Sequence, residues 1–276
     1  MGRLFFYFTH IEKETFKMKK TLKFTAFVTL MVTLTACSST LPNFVPVVSS
    51  NAATSIPVES TTPESTAEVE PTMEAETVSE SAPTLTLIGH ASLKIKTMDG
   101  VVVYIDPYYE GDYSEKADII LISHEHRDHN GINLVTQNEE CVVLRVTETI
   151  NQADNSYNTF EYFGVKIEPV PAFNNNHPLN NSTGFVLTFD GIRVYHAGDT
   201  SKLDQMADLK AKNIDYAFFP IDGQYNMGPA EATESAELVG AKHNIPFHVN
   251  SADVTAFTPE NLFSVAYGET IVLNTP

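Results

Sequence analysis

From residue 84 onward, short apolar or alternating runs are separated by turn residues. Residues 85–87, 92–96 and 101–105 read as consecutive antiparallel strands, with Asp99-Gly100 as the hairpin turn before the third. Residues 119–122, Ile-Ile-Leu-Ile without a polar interruption, predict a strand buried on both faces. Residues 130–137 are weakly helical, 142–146 return to strand, and 160–170 predict a hairpin around Phe163-Gly164. Two more strands, 184–189 and 192–196, flank Asp190-Gly191.

The last eighty residues alternate differently. Residues 202–210 read as helix, 216–219 as strand, 229–241 as a helix with Pro229 in its first turn, and 245–249 as strand. A helix over 259–265 and a final strand over 270–273 follow. Ala230, Ala236, Leu238 and Val239 form an apolar helical stripe, expected to face the core. Hairpins followed by alternating strands and helices predict an α/β protein, a layered sandwich of sheets with helices outside. No repeat of solenoid period interrupts this pattern.

The first 83 residues are of another kind. Lys19, Lys20 and Lys23 precede residues 24–34, an uncharged and mostly apolar run. It suits a signal-peptide core but is shorter than the roughly 20 residues a bilayer span needs. It ends in Leu34-Thr-Ala-Cys37, which resembles the lipobox of bacterial lipoproteins and implies lipid attachment at Cys37. Met18 makes the better start of this leader, so residues 1–17, with His10, carry no function in this reading. Cys141 is the second of two cysteines. With Cys37 lipidated no intrachain disulfide forms, and Cys141 is expected to pack as a small apolar residue.

Residues 38–83 contain seven Glu, many Ser, Thr and Pro, one aromatic and no Lys or Arg. Such a segment buries too little apolar surface to offset its ordering entropy, so it is expected to be an acidic spacer reaching about 40 Å or more. Three regions follow: a leader over 1–36, a tether over 37–83 and a folded domain over 84–276. The formal charge is −18 for the chain. With the leader's six basic and two acidic residues removed, 11 Lys and Arg stand against 33 Asp and Glu, net −22. That balance disfavours nucleic acid and anionic lipid surfaces, leaving a small-molecule substrate and a membrane contact through the lipid alone.

Directly after the apolar strand comes Ile-Ser-His-Glu-His-Arg-Asp-His-Asn-Gly131. In an extended segment His124 and His126 point the same way and can present two imidazoles to one ion, while Asp128 and His129 project from the bend toward a second. More donors wait in comparable places: His177 in a polar loop after a strand, Asp199 in Tyr-His-Ala-Gly-Asp-Thr200, and His248 closing Ile-Pro-Phe-His.

His124-x-His126-x-Asp128-His129, then His177, Asp199 and His248, resemble the metallo-β-lactamase superfamily of binuclear hydrolases. Within it, Gly-His90-Ala-Ser, Tyr-Ile-Asp106-Pro, Tyr-His196-Ala-Gly-Asp-Thr and Pro220-Ile-Asp-Gly-Gln-Tyr-Asn-Met-Gly228 are similar to the small metal-dependent hydrolases resembling ascorbate-6-phosphate lactonase. The resemblance spans nearly all of residues 84–273. It implies an αββα sandwich with two mixed β-sheets and metals at the rim between them. It places His124, His126 and His177 on the first ion, Asp128, His129 and His248 on the second, and Asp199 between them. Two divalent ions, Zn2+ by donor type, with Mn2+ or Fe2+ also accepted by the same set, would activate a shared hydroxide to cleave an ester, lactone or phosphoester. Asp128 would orient that hydroxide or take its proton.

Glycine is expected where this chain has Asp222, and threonine where it has Asn226, so the Pro220–Gly228 loop leaves the substrate class open. His90, Asp106 and His196 are candidates for hydrogen-bonding the ligands, Arg127 for meeting an anionic substrate or solvent, and Tyr225 for donating to an oxyanion. His243 is expected to be solvated. A β-lactamase shares these ligands and this compartment, and a non-catalytic metal-binding surface lipoprotein is the alternative from another class. The near matches favour the lactonase-like branch over a β-lactamase, and the intact ligand set argues against the non-catalytic lipoprotein.

Overall fold

The structure, a computed structural model, describes residues 82–274. The leader, Cys37 and the tether up to residue 81 lie outside the described residues. Strands β1 (Thr84–Gly89), β2 (Ser92–Lys96), β3 (Val102–Ile105), β4 (Ala117–Leu121), β5 (Gln137–Leu144) and β12 (Glu269–Val272) make one sheet, ordered β12-β1-β2-β3-β4-β5. Strands β6 (Phe160–Tyr162), β7 (Val165–Pro171), β8 (Thr183–Phe189), β9 (Ile192–His196), β10 (Tyr216–Pro220) and β11 (His243–Phe247) make the second, ordered β11-β10-β9-β8-β7-β6. Both are mixed: β3, β4 and β5 run parallel in the first, β9, β10 and β11 in the second, and the remaining pairs are antiparallel. The α/β sandwich of two mixed sheets predicted from the sequence is therefore the architecture observed.

Alternation decides which side chains fill the middle. In β2, Leu93 and Ile95 face the opposite sheet while Lys94 and Lys96 point away and pair with Glu115. Leu85, Leu87, Ile105 and Leu121 from the first sheet meet Ile167, Phe185, Leu187, Phe218 and Phe247 from the second. Each such side chain contributes about 1.5–3 kcal/mol of transfer free energy. β4 is buried on both faces, with Ile119 and Leu121 in this core and Ile120 beneath the outer layer over the first sheet.

Helices cover the outside of the second sheet. Helix α2 (Pro229–Val239) begins with Pro229 and stops at Gly240, which is left-handed at φ 64. It buries Ala232, Ala236 and Val239 against Ala217, Phe219 and Met206. Ala236 and Val239 are buried and Leu238 packs against this core as expected, whereas Ala230 is exposed and Ala232 takes the inward place one turn from Ala236. The 202–210 helix is instead a 3-10 segment, Asp204–Lys212. Leu203, Met206 and Leu209 are its buried apolar positions, recurring every third residue, the period of that tighter helix.

Three other expectations give way. Residues 130–137 form only a 3-10 turn, Ile132–Leu134, because Gly131 donates to the Pro107 carbonyl at 2.6 Å and β5 already begins at Gln137. Past Leu144 the chain enters a short helix, α1 (Val146–Thr149), where strand was expected through 146. Residues 259–265 are not helical. Asn244 in β11 donates its N–H to Asn261 O and accepts from Phe263 N, each at 2.9 Å, drawing the segment along the sheet edge. Cys141 is half-buried on β5, where burial raises its thiol to about 11.

Candidate metal centre

Every chemistry-bearing residue lies just past the C-terminal end of a strand, at one rim of the sandwich. His90 follows β1, Asp106 follows β3, the His124–His129 loop follows β4, and His177 lies in the loop after β7. Asp199, Asp222 and His248 follow β9, β10 and β11. The chain holds this rim in costly backbone: His90, Asp106 and His248 have φ of 51, 45 and 49. Each costs a non-glycine residue about 1–2 kcal/mol, and such strain concentrates at functional sites.

The donors form two clusters joined by a third group, His124, His129 and Asp199. His124, His126 and His177 offer nitrogens that all lie within 4.8 Å of one another, as do donor atoms of Asp128, His129, His248 and His90. Asp199 sits between them, its Oδ2 lying 3.3 Å from His177 Nε2, 3.4 Å from His248 Nε2 and 3.5 Å from His129 Nε2. All are buried except His126, which is exposed, and Asp128 and His90, which are partly so.

Hydrogen bonds behind the ligands fix which nitrogen each imidazole presents. The fully buried Asp106 carboxylate accepts from Ser123 N at 2.7 Å, Ser123 Oγ at 2.6 Å and His129 Nδ1 at 2.9 Å. His129 therefore carries its proton on Nδ1 and turns Nε2 inward. Asn174 Oδ1 accepts from the His177 backbone at 2.9 Å and lies 3.0 Å from His177 Nδ1, so Nε2 again faces Asp199. His196 accepts from Gly198 N at Nδ1 and donates from Nε2 to the Ala91 carbonyl. It ties the Asp199 turn to the β1–β2 corner and presents no free nitrogen.

Two residues have a larger place than the sequence suggested. His90 lies 3.3 Å from Asp128 Oδ2, its ring centroid is 3.7 Å from that of His248, and its carbonyl accepts from His248 N at 2.9 Å. It thus stands among the second cluster's donors. Asp222 Oδ2 lies 3.0 Å from His248 Nδ1, a charge contact out of line with the ring N–H, while its Oδ1 accepts from Gln224 N and Tyr225 N. Asp222 therefore positions His248, and Asn226 donates to its other oxygen at 2.8 Å. Sequence reading treated Asp222 only as a departure from pattern, and its proximity to His248 depends on pairing between β10 and β11 that no local signal announces. Tyr225 lines the cavity over the ligands, about 350 Å³ in volume, and is half exposed. Arg127 is exposed and lines no cavity described here, and His243 packs between Tyr216 and Phe263 rather than standing free in solvent.

The site's electrostatics suit a cation. Burial pushes His124 down to about 3, leaving it neutral. Burial opposes ionisation of Asp199 as well, but His129, His248 and His124 outweigh it and hold the carboxyl well below its ordinary value. Burial likewise depresses His129, yet the Asp199 and Asp106 carboxylates raise it well above the usual histidine value. His90 holds the Asp128 carboxyl below its ordinary range. Four buried donors, His124 Nε2, His129 Nε2, His248 Nε2 and Asp199 Oδ1, have no hydrogen-bond partner among the described residues. Buried polar atoms are rarely left so, and inward imidazole nitrogens, which a cation takes as lone-pair donors in place of their protons, together with a carboxylate are the donor set of a transition-metal site.

The family described as beta-lactamase superfamily domain matches residues 84–248, from β1 to the last donor. The chain is similar to a UPF0173 metal-dependent hydrolase of Pyrococcus furiosus, 30% identical over 211 residues that cover 67% of this chain and 92% of that one. A UPF0173 metal-dependent hydrolase of Ligilactobacillus salivarius is 33% identical over 206 residues, 64% of this chain and 94% of the relative. Among solved structures, a protein described as a metal-dependent hydrolase from Parabacteroides distasonis superposes with a TM-score of 0.57 at 31% identity, covering 66% of this chain and 91% of that one.

Proposed function

The chain belongs to the beta-lactamase superfamily, and on that premise we propose that it is a metal-dependent hydrolase that holds two divalent cations and cleaves an ester, lactone or phosphoester of a small molecule. The observation that carries this reading is the set of four unpartnered buried donors at one rim of the sandwich. Each costs about 1–3 kcal/mol if left unsatisfied. His124, His126 and His177 would hold the first ion, Asp128, His129 and His248 the second, with Asp199 shared. Zinc suits these donors, as do manganese and iron.

Bound there, the cations would supply a water acidified toward neutral pH and a partner for the electrophile's oxygen. The chain's own residues do the rest. Asp128, kept ionised by His90 and open to the cavity, orients the attacking water or takes its proton. Tyr225, whose carbonyl is held by Asn174 and Asn176, donates its phenol to the oxyanion. Asp106, Asn174 and Asp222 keep His129, His177 and His248 turned inward. No side-chain nucleophile takes part.

The leader's charged head, apolar run and Leu34-Thr-Ala-Cys37 support placing the domain outside the cytoplasm of a bacterium, anchored by lipid at Cys37. Elemental analysis of the purified protein joined to a panel of lactone, ester and phosphoester substrates tests the activity. Two equivalents of metal per chain, and hydrolysis that disappears on chelation and returns with metal, are expected. A metal-free protein with full activity would refute the reading.

A further inference from the structure

A second cavity, of about 450 Å³, opens beside the ligand cavity and shares His126, His177 and Asn176 with it. Its volume is within the range of about 300–1,000 Å³ usual for small-molecule sites. Away from the histidines its polar walls are Thr147 at the start of α1, Gln152 in the loop that follows, and Asn180 and Asn181 in the loop after His177. These loops are joined: Gln152 Nε2 donates to the Asn180 carbonyl at 3.3 Å, and Asn180 Nδ2 donates to Asn155 Oδ1 at 2.6 Å. The pocket thus sets amides and a hydroxyl, anchored on both sides, into a lining with a large apolar share to which Val146 and Pro178 contribute, next to the reacting centre.

Its charge is one-sided. Among the described residues, Glu125 is the one ionisable residue lining it apart from the histidines, and no lysine or arginine lines this cavity or its neighbour. The nearby Arg145 is already engaged, donating from Nη1 to Glu125 Oε2 at 2.7 Å and to Asn130 Oδ1 at 3.2 Å. Side-chain amides and hydroxyls both donate and accept, so they match the hydroxyls and amides of a neutral ligand. A phosphate or carboxylate seated here would give up hydration without gaining the charge-assisted partners such groups require, and would face Glu125.

Resting on the hydrolase reading above, we propose that this cavity receives the unreacting part of the substrate and selects a neutral, hydroxyl- or amide-rich group over an anionic one. Among the reaction types left open, this favours a lactone or ester of an uncharged polyol-like compound. A substrate carrying a remote phosphate is disfavoured.

The test uses a matched pair, D-glucono-1,5-lactone and its 6-phosphate, with the metal-loaded full chain. A kcat/KM at least about tenfold higher for the neutral lactone is expected, and equal values or preference for the phosphate overturn the proposal. Gln152→Lys, at an exposed wall position, is expected to raise kcat/KM for the phosphorylated lactone about tenfold with metal content unchanged. A ratio that this variant does not move also overturns it. Calorimetric binding of glucose against glucose 6-phosphate separates the two readings. Glucose bound in preference, with neither lactone cleaved, leaves the selectivity standing and removes the hydrolase. Cleavage of both lactones at equal rates does the reverse, and neither binding nor cleavage ends both.

Discussion

His129 Nδ1 and Asp106 Oδ2 lie 2.9 Å apart with both side chains wholly out of solvent. The same carboxylate takes two hydrogen bonds from Ser123, so its position is set by the end of β4 and it sets the imidazole in turn. Asp106→Asn keeps the shape but puts an amide where three donors converge. One N–H then meets another N–H, and His129 loses its enforced tautomer. Metal affinity is expected to fall about 10–100-fold, read by competition with a chelator. Unchanged affinity would mean that the carboxylate does not orient His129.

Gly198 is left-handed at φ 65, and a Cβ built there would lie 2.7 Å from the Thr183 carbonyl. Gly198→Ala therefore costs about 1–2 kcal/mol in backbone conformation alone, with displacement of β8 beyond that. A Tm lower by roughly 2–8 °C follows for a domain of this size. Because Asp199 is the next residue, bound metal should fall together with Tm. A variant that loses neither would show that the turn tolerates a side chain.

Much of this fold and site is readable before any coordinates, for identifiable reasons. Leu93 and Ile95 alternating with Lys94 and Lys96 announce a strand with one buried face, and two hairpin glycines, Gly100 and Gly191, take positive φ. The His124–His129 spacing is local, so its chemistry shows in the chain itself. What stays hidden is non-local. His90 reaches Asp128 across 38 residues of sequence and stacks on His248, and Asp222 reaches His248 only because β10 and β11 pair in parallel. Residues 259–265 have helical composition, but hydrogen bonds to Asn244 hold them along a sheet edge. Propensity yields there to tertiary contacts.

Removing metal should also unfold the site's logic in a measurable way. A ligand that binds only the folded state stabilises it by about 2.7 kcal/mol when present at a hundred times its Kd. With His248, a ligand in strained backbone, and Asp106, the strained residue behind His129, held at the rim, the apo protein is expected to melt lower and to recover on adding Zn2+. An identical Tm with and without chelator, in protein shown to have lost its metal, would argue that the cluster needs no cation to satisfy it.

The anchor has its own experiment. Cys37→Ser removes the thiol that a lipid would occupy and leaves the leader's charge and apolar run intact. In bacterial cells the wild-type chain is expected in the membrane fraction and the variant in the soluble extracytoplasmic fraction. A distribution the substitution does not change would remove lipidation at Cys37 from the account.

The last prediction separates ligation from folding. His126 is exposed, and among the described residues the hydrogen-bonding distance of 3.2 Å from its Nδ1 to His177 Nε2 is its one side-chain hydrogen bond, made within the donor cluster. The β4 core below it, Ile119 to Leu121, is complete without it. His126→Ala should therefore leave the circular dichroism spectrum and the metal-free Tm near wild type. Asp199→Ala is a different case, since the carboxylate stands among His129, His177 and His248 and its loss leaves their imidazoles facing one another. Hydrolysis is expected to fall in both by more than the roughly 100-fold upper range for outer partners. His126→Ala should lower metal content by one equivalent and Asp199→Ala by up to two. Full activity in either variant, at full metal content, would mean that the chemistry is carried by other residues.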